Sequence, residues 1–298
     1  VQARVGQLLG TIGGVMSTLP ASQNSLQETD RLLVQFEKDN IPAQYREYYG
    51  IKRSNLFASI QGFREMWEYY LRLDSILMRE FVDLQTARDP SRMFPLLLYH
   101  NAHAKMRVSI ELAFSGCMAE ARSILRDAIE FVAHAHTMLD DPELQKTWLN
   151  KNDGEAAVEA FRDAFERKKR QGVFKGLDEL HKTWGELSET GSHANLNAMI
   201  DRFVQITSDD HIEFRLNYTG LEPRIWALYL FPMLLTCSTM EQTLFNDYDS
   251  RLKFDNDLMR MRGEFERYKE WLRAKLIVRY GLEPPGGIHK PRSTIYRP

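Results

Sequence analysis

The sequence predicts an all-α protein: a multi-helix bundle of long antiparallel helices, with at most one short strand-like segment near residues 211–218. Three observations carry this expectation. Ser115–Leu139 repeats Cys117, Ala121, Ile124, Ala128, Phe131, Ala135 and Met138 at alternating steps of four and three, the period of one helix face. Residues 54–88 hold the same spacing through Phe57, Ile60, Phe63, Met66, Trp67, Tyr70, Leu73, Leu77, Phe81 and Leu84. Only His211–Tyr218 alternates apolar and polar residues with period two, as a strand or hairpin arm does.

Taken in order, residues 1–24 are interrupted by Gly6, Gly10, Gly13 and Gly14 and read as a loose arm or weak helix, without the charged start and dense apolar centre of a signal peptide. The helical bundle is expected over 25–283. Ser25-Leu26-Gln27-Glu28 matches a capping box and opens a helix to about Asp39, which Asn40-Ile41-Pro42 stops. A long helix follows from about Ser54 to Arg88, and Asp89-Pro90-Ser91 caps the next, from about Arg92 to Ser115. Gly116 marks either a joint or a point inside one uninterrupted helix to Leu139.

Asp141-Pro142 starts another helix, with proline at its first position. Asp153 is expected to cap one through about Arg170, whose basic end (Arg167, Lys168, Lys169, Arg170) complements the helix dipole. Helices are expected at about Leu177–Leu187 and Ala194–Ile206, separated by a break at Gly191-Ser192. Pro223 opens an apolar helix to about Phe245. The last helix is expected from about Tyr248 to Tyr280, ending on Gly281 as a left-handed cap. Residues 284–298 contain Pro284, Pro285, Pro291 and Pro298 with Lys290, Arg292 and Arg297 and no acidic residue, a basic tail that cannot build a core.

Composition narrows function. With 39 basic and 41 acidic residues and a net charge of −2, the chain has no general attraction for nucleic acid or anionic lipid, so any such binding must be local. The longest apolar run, Ile225–Cys237 with Pro232 inside it, is shorter than the roughly 18 residues of a membrane span. Cys117 and Cys237 read as reduced, buried thiols. A cytoplasmic protein without membrane partner, metal or other cofactor is expected. His100 and His103 lie three apart, but no carboxylate in the same turn completes a ligand set.

Two places could carry chemistry. On one polar stripe of the central helix stand Arg122, Arg126, Asp127, Glu130 and His134. Arg126–Glu130 and Glu130–His134 are pairs four apart; in a cleft, Arg126 would hold an anion and Glu130 would raise the His134 pKa. On a solvated face they would only support the helix. The second place is Ser188–His193, with Asn195 beyond it, where a helix breaks. There His193 could act as an acid–base or phosphate-contacting group, and Ser188 and Asn195 as substrate contacts or simple caps.

The string GCMAEARSILRDAIEFVAHAH, residues 116–136, resembles a segment of uncharacterised bacterial helical proteins related to the HEPN superfamily. Glu120-Ala121 and Arg126 four residues ahead of Glu130 carry the likeness, and Leu187-Ser188 with His193 is similar to a later element. It covers about residues 97–203. The resemblance implies a helical bundle that dimerises or takes a protein partner, often in toxin–antitoxin or phage-defence systems. It also implies action on RNA or a nucleotide, in many members as a metal-independent ribonuclease, with no DNA sequence recognition. Arg126, Glu130 and His193 would then be catalytic, with Ser188, His134 and Asn195 binding substrate. The sequence departs from the family's motif of Arg followed after four to six residues by His. None of the eight histidines has an arginine at that spacing, so Arg126 and His193 would have to meet from different helices. The alternative reading is a non-catalytic helical protein that regulates or scaffolds a partner.

Overall fold

Gly116 decides the centre of the molecule. In the computed structural model its φ is +86°, backbone that residues with a side chain rarely adopt, and the chain turns there between two helices rather than continuing as one. The structure describes residues 31, 34, 35, 38–84, 90–166, 170–189, 203–207, 212–216, 223–249 and 254–281.

The helices are α1 (Ala43–Gly62), α2 (Arg64–Leu84), α3 (Pro90–Phe114), α4 (Met118–Met138), α5 (Pro142–Leu149), α6 (Glu155–Phe161), α7 (Arg170–Val173), α8 (Asp178–Leu187), α9 (Pro223–Asp249) and α10 (Asn256–Tyr280). A π-helical turn, Arg162–Glu166, extends α6. Strands β1 (Phe203–Thr207) and β2 (Ile212–Leu216) pair antiparallel, Phe203 opposite Leu216 and Thr207 opposite Ile212. The chain divides into two units, Val1–Ser54 and Asn55–Pro298.

The expected helical bundle is the architecture, with several boundaries corrected. The single helix expected over 54–88 is α1 and α2, meeting at Phe63. Phe63 N–H donates to Ser59 O at 2.8 Å and Trp67 N–H to Phe63 O at 3.0 Å, so the ladder is nearly continuous across the join. Gly154, not Asp153, caps α6. Tyr248 belongs to α9, and α10 starts only after Asp255, whose carboxylate accepts from Asp257 N–H at 3.0 Å. The helix expected to reach Ile206 gives way to β1, so the strand-like stretch is one arm of a hairpin. Asp141 caps α5 as expected, accepting from Glu143 and Leu144 N–H, and Gly281 closes α10 at φ +62°. The arm at 1–24, the capping box at Ser25, the run Arg167–Lys169 and the tail at 284–298 lie outside the described residues.

Within the larger unit, α3 and α4 form an antiparallel hairpin around Gly116. Ser109 Oγ donates to Ala121 O at 2.7 Å, and Lys105 Nζ lies 3.4 Å from an Asp127 carboxylate oxygen. Ala121, Ala128, Ala133 and Ala135 are buried on α4; small side chains let neighbouring helices close on several sides. α4 accordingly packs against α3, α5, α7, α8 and α9, while α2 packs against α9 and α10. Leu125, Ile129 and Met138 fill the space between. α9 passes through Pro232 without a break. Among the described residues no helix is long and apolar enough to cross a membrane. Neither cysteine is in a disulfide; Cys237 is buried, but Cys117, at the α4 N-cap, is only half-buried.

Candidate functional site

Arg126 stands on the side of α4 that meets α8, and α8 supplies what surrounds it. Trp184 and Ser188 are four residues apart and therefore share one face. Arg126 Nε donates to Ser188 Oγ at 2.8 Å, and Ser188 Oγ donates in turn to Trp184 O at 2.8 Å. The guanidinium carbon lies 4.9 Å from the centre of the Trp184 ring, within cation–π range. Its two terminal nitrogens face carboxylates: Asp127 at 3.1 Å and, more loosely, Glu130 at 3.6 Å. The Arg126 side chain keeps 20 % of its surface exposed. The result is an oriented cation over an indole, with a hydroxyl and two carboxylates at its rim.

Three residues nominated from sequence therefore come together: Arg126, Glu130 and Ser188. His134 does not join them. It lies two helical turns further along α4, about 12 Å of rise, and is only 9 % exposed. Its Nδ1 accepts from Trp148 Nε1–H at 3.3 Å, and its ring packs 4.9 Å from Phe165. The polar stripe of α4 is thus not one open ridge, because Arg122 and His134 at its ends are buried. Arg122 lies over the Tyr229 ring at 5.1 Å. A helix enclosed on several sides has to bury some polar positions. His193 and Asn195 lie outside the described residues.

A polar clamp that sequence reasoning missed ties α4 to α3 and α9. The Asp247 side chain of α9 is only 8 % exposed and accepts from His136 Nδ1–H at 2.8 Å and from the Tyr99 hydroxyl. The hydrogen bond to Asp247 raises the His136 pKa above that of a free imidazole, against the opposing effect of burial. Next to it, Thr137 Oγ1 donates to Val173 O at 2.7 Å. Gly176, at φ +81°, follows in the turn leading to α8, where a β-carbon would lie 3.8 Å from His136 Nε2. Thr137 thus holds the end of α7, just before the turn into α8, and the far end of α8 delivers Trp184 and Ser188 to Arg126.

Of the pair His100 and His103, His103 Nε2–H donates to Asp74 at 2.6 Å, and Arg107 binds the same carboxylate through Nε at 2.7 Å and a terminal nitrogen at 2.8 Å. Among the described residues no group of His, Cys, Asp and Glu is arranged to hold a metal ion. No family model, curated protein or solved structure matches the chain.

Proposed function

We propose that the chain is a HEPN-like helical protein acting on RNA or a nucleotide at the Arg126 site. One observation carries the reading: Arg126 and Ser188, 62 residues apart in sequence and belonging to the two separate elements of the resemblance, are hydrogen-bonded at 2.8 Å. A guanidinium fixed by Ser188 and Trp184, with a carboxylate as loose as Glu130 beside it, suits a phosphate that exchanges places with that carboxylate. In this reading Ser188, Arg126 and Glu130 bind and orient, and His193, five residues past Ser188, moves the proton.

Labelled RNA incubated with wild type, Arg126→Ala and His193→Ala tests it. Cleavage by wild type is expected to fall about 100-fold or more in His193→Ala, the usual size of a lost acid–base group. Equal background cleavage by all three would remove the nuclease reading.

Trp271 and Val278, seven residues apart on α10 and 48 % and 87 % exposed, favour a second reading: a helical assembly protein that pairs with another subunit. Light scattering on the full chain and on a chain lacking 284–298 tests this. A monomer in both, with no partner co-purifying, would defeat it.

A further inference from the structure

Helix α1 carries an unusual surface within residues 43–54. Its sole buried residue, Ser59, lies beyond that stretch. Tyr45 and Tyr49 are 56 % and 51 % exposed, large aromatic groups that proteins ordinarily use to fill cores or interfaces. They are four residues apart and so lie on one side of the helix. Arg53 is four beyond Tyr49, Lys52 three beyond it, and Arg46 three before it, all helical neighbours of that side. Glu47, two residues from each tyrosine, falls on the opposite side. One face therefore combines two open rings with three cations, on a chain whose overall charge is −2.

The face is also braced. The Tyr48 ring meets the Tyr49 ring edge-on, centroids 5.5 Å apart at 63°. Arg46 Nη1 donates to Lys38 O at 2.6 Å, which fixes that side chain. Tyr45 and Tyr49 are separated by one helical step of about 6 Å along the axis.

We infer that this face of α1, Tyr45 and Tyr49 flanked by Arg46, Lys52 and Arg53, binds single-stranded RNA. Aromatic rings give a stacking surface that every base can use, and the surrounding cations follow the phosphates. Such a face has no need of base-edge contacts, so it is indifferent to sequence. Bases already stacked and paired in a duplex have no free face to offer such rings, so the surface favours a single strand. The inference uses residues of the Val1–Ser54 unit alone and does not depend on chemistry at Arg126.

Fluorescence anisotropy of a short labelled oligouridylate, titrated with the full chain over a range of salt, tests it. Tyr45→Ala with Tyr49→Ala is expected to weaken binding about tenfold or more for each ring lost. Arg46→Gln with Arg53→Gln, which keeps both rings, is expected to flatten the dependence of affinity on salt by about the equivalent of two phosphate contacts. Far-UV circular dichroism checks that the helix persists, and a duplex RNA of equal length is expected to bind more weakly.

Failure of wild type to bind, equal affinity for the duplex, or tyrosine variants that bind as wild type would each overturn the inference. So would tyrosine variants that convert a dimer to a monomer in light scattering while leaving RNA affinity unchanged, since the face would then be a contact between copies. Retained oligouridylate binding in Arg126→Ala together with unaltered cleavage would end the proposal for Arg126 and leave this one standing.

Discussion

Arg262→Met is expected to cost about 3–5 kcal/mol of stability near pH 8, the range for removing one partner from a buried ion pair. Arg262 of α10 reaches between two carboxylates from other helices. It pairs with Glu80 of α2 at 2.8 Å and with Glu241 of α9, donates to Gln242 Oε1 at 2.7 Å, and lies 3.6 Å over the Phe245 ring. Both glutamates are buried. Burial pushes the Glu80 carboxyl well above the ordinary carboxylate range, although Arg262 pulls in the other direction.

The sign of the pH dependence follows. A carboxyl whose pKa is raised by folding binds its proton more tightly in the folded state. Its contribution to stability is fully present below the unfolded value of about 4.3 and is lost as pH rises through the folded value. Without the guanidinium nothing offsets ionisation of the buried Glu80 carboxyl, so the penalty for Arg262→Met should be larger at pH 8 than at pH 5. Glu80→Gln removes a charge that is costly to bury and should be much milder at pH 8. Urea titrations of the three proteins at both pH values decide the matter. The same loss at pH 5 and pH 8 would mean that Arg262 acts through packing on Phe245 rather than through charge.

Asp74→Asn is expected to cost about 2–3 kcal/mol at pH 7, the scale of hydrogen bonds made to a charged group. Burial alone would raise the Asp74 pKa, but the hydrogen bonds from His103 and Arg107 outweigh it and hold the carboxyl well below the ordinary range. Here the folded pKa is depressed. The stabilisation is therefore present above the unfolded value of about 3.9 and disappears as pH falls from there toward the folded value. Wild type should lose stability steeply below about pH 4, and Asp74→Asn, having already lost this contribution, should lose less over the same range. Thermal melts of both proteins from pH 7 to pH 3 measure the difference. Parallel curves would show that the α2–α3 clasp contributes nothing electrostatic.

What could be read from residues alone divides along physical lines. Features that depend on near neighbours in the chain were legible: the Asp141-Pro142 start of α5, the Gly281 cap, the period of α4. Arg126 and Ser188 were legible as candidates, one from its place opposite the apolar face and one from its place at a helix end. Their hydrogen bond was not, because no local pattern states which helix crosses which. Trp184 could have been found, since it is one turn before Ser188 and shares its face. Periodicity misled at His134: it separates one side of a helix from the other, but it does not say that α4 is enclosed on several sides. Phe203-Val204-Gln205-Ile206-Thr207 carried a strand signal in its aromatic and β-branched residues, which the expected helix to Ile206 overlooked. The clusters around Arg262 and Asp247 each draw on three helices far apart in the chain, and no short window contains them.

The tight turn at Gly116 also bears on the order in which the molecule assembles. It joins α3 to α4 across very few residues, so the loop-closure entropy of bringing these two together is small, and contacts between sequence neighbours form quickly. This hairpin can serve as a nucleus on which the later helices condense. Ser188 must travel in from 62 residues downstream, so the Arg126 centre is completed only after that nucleus has formed. A chain caught midway would already have its middle built and still lack the place where its chemistry is proposed to occur.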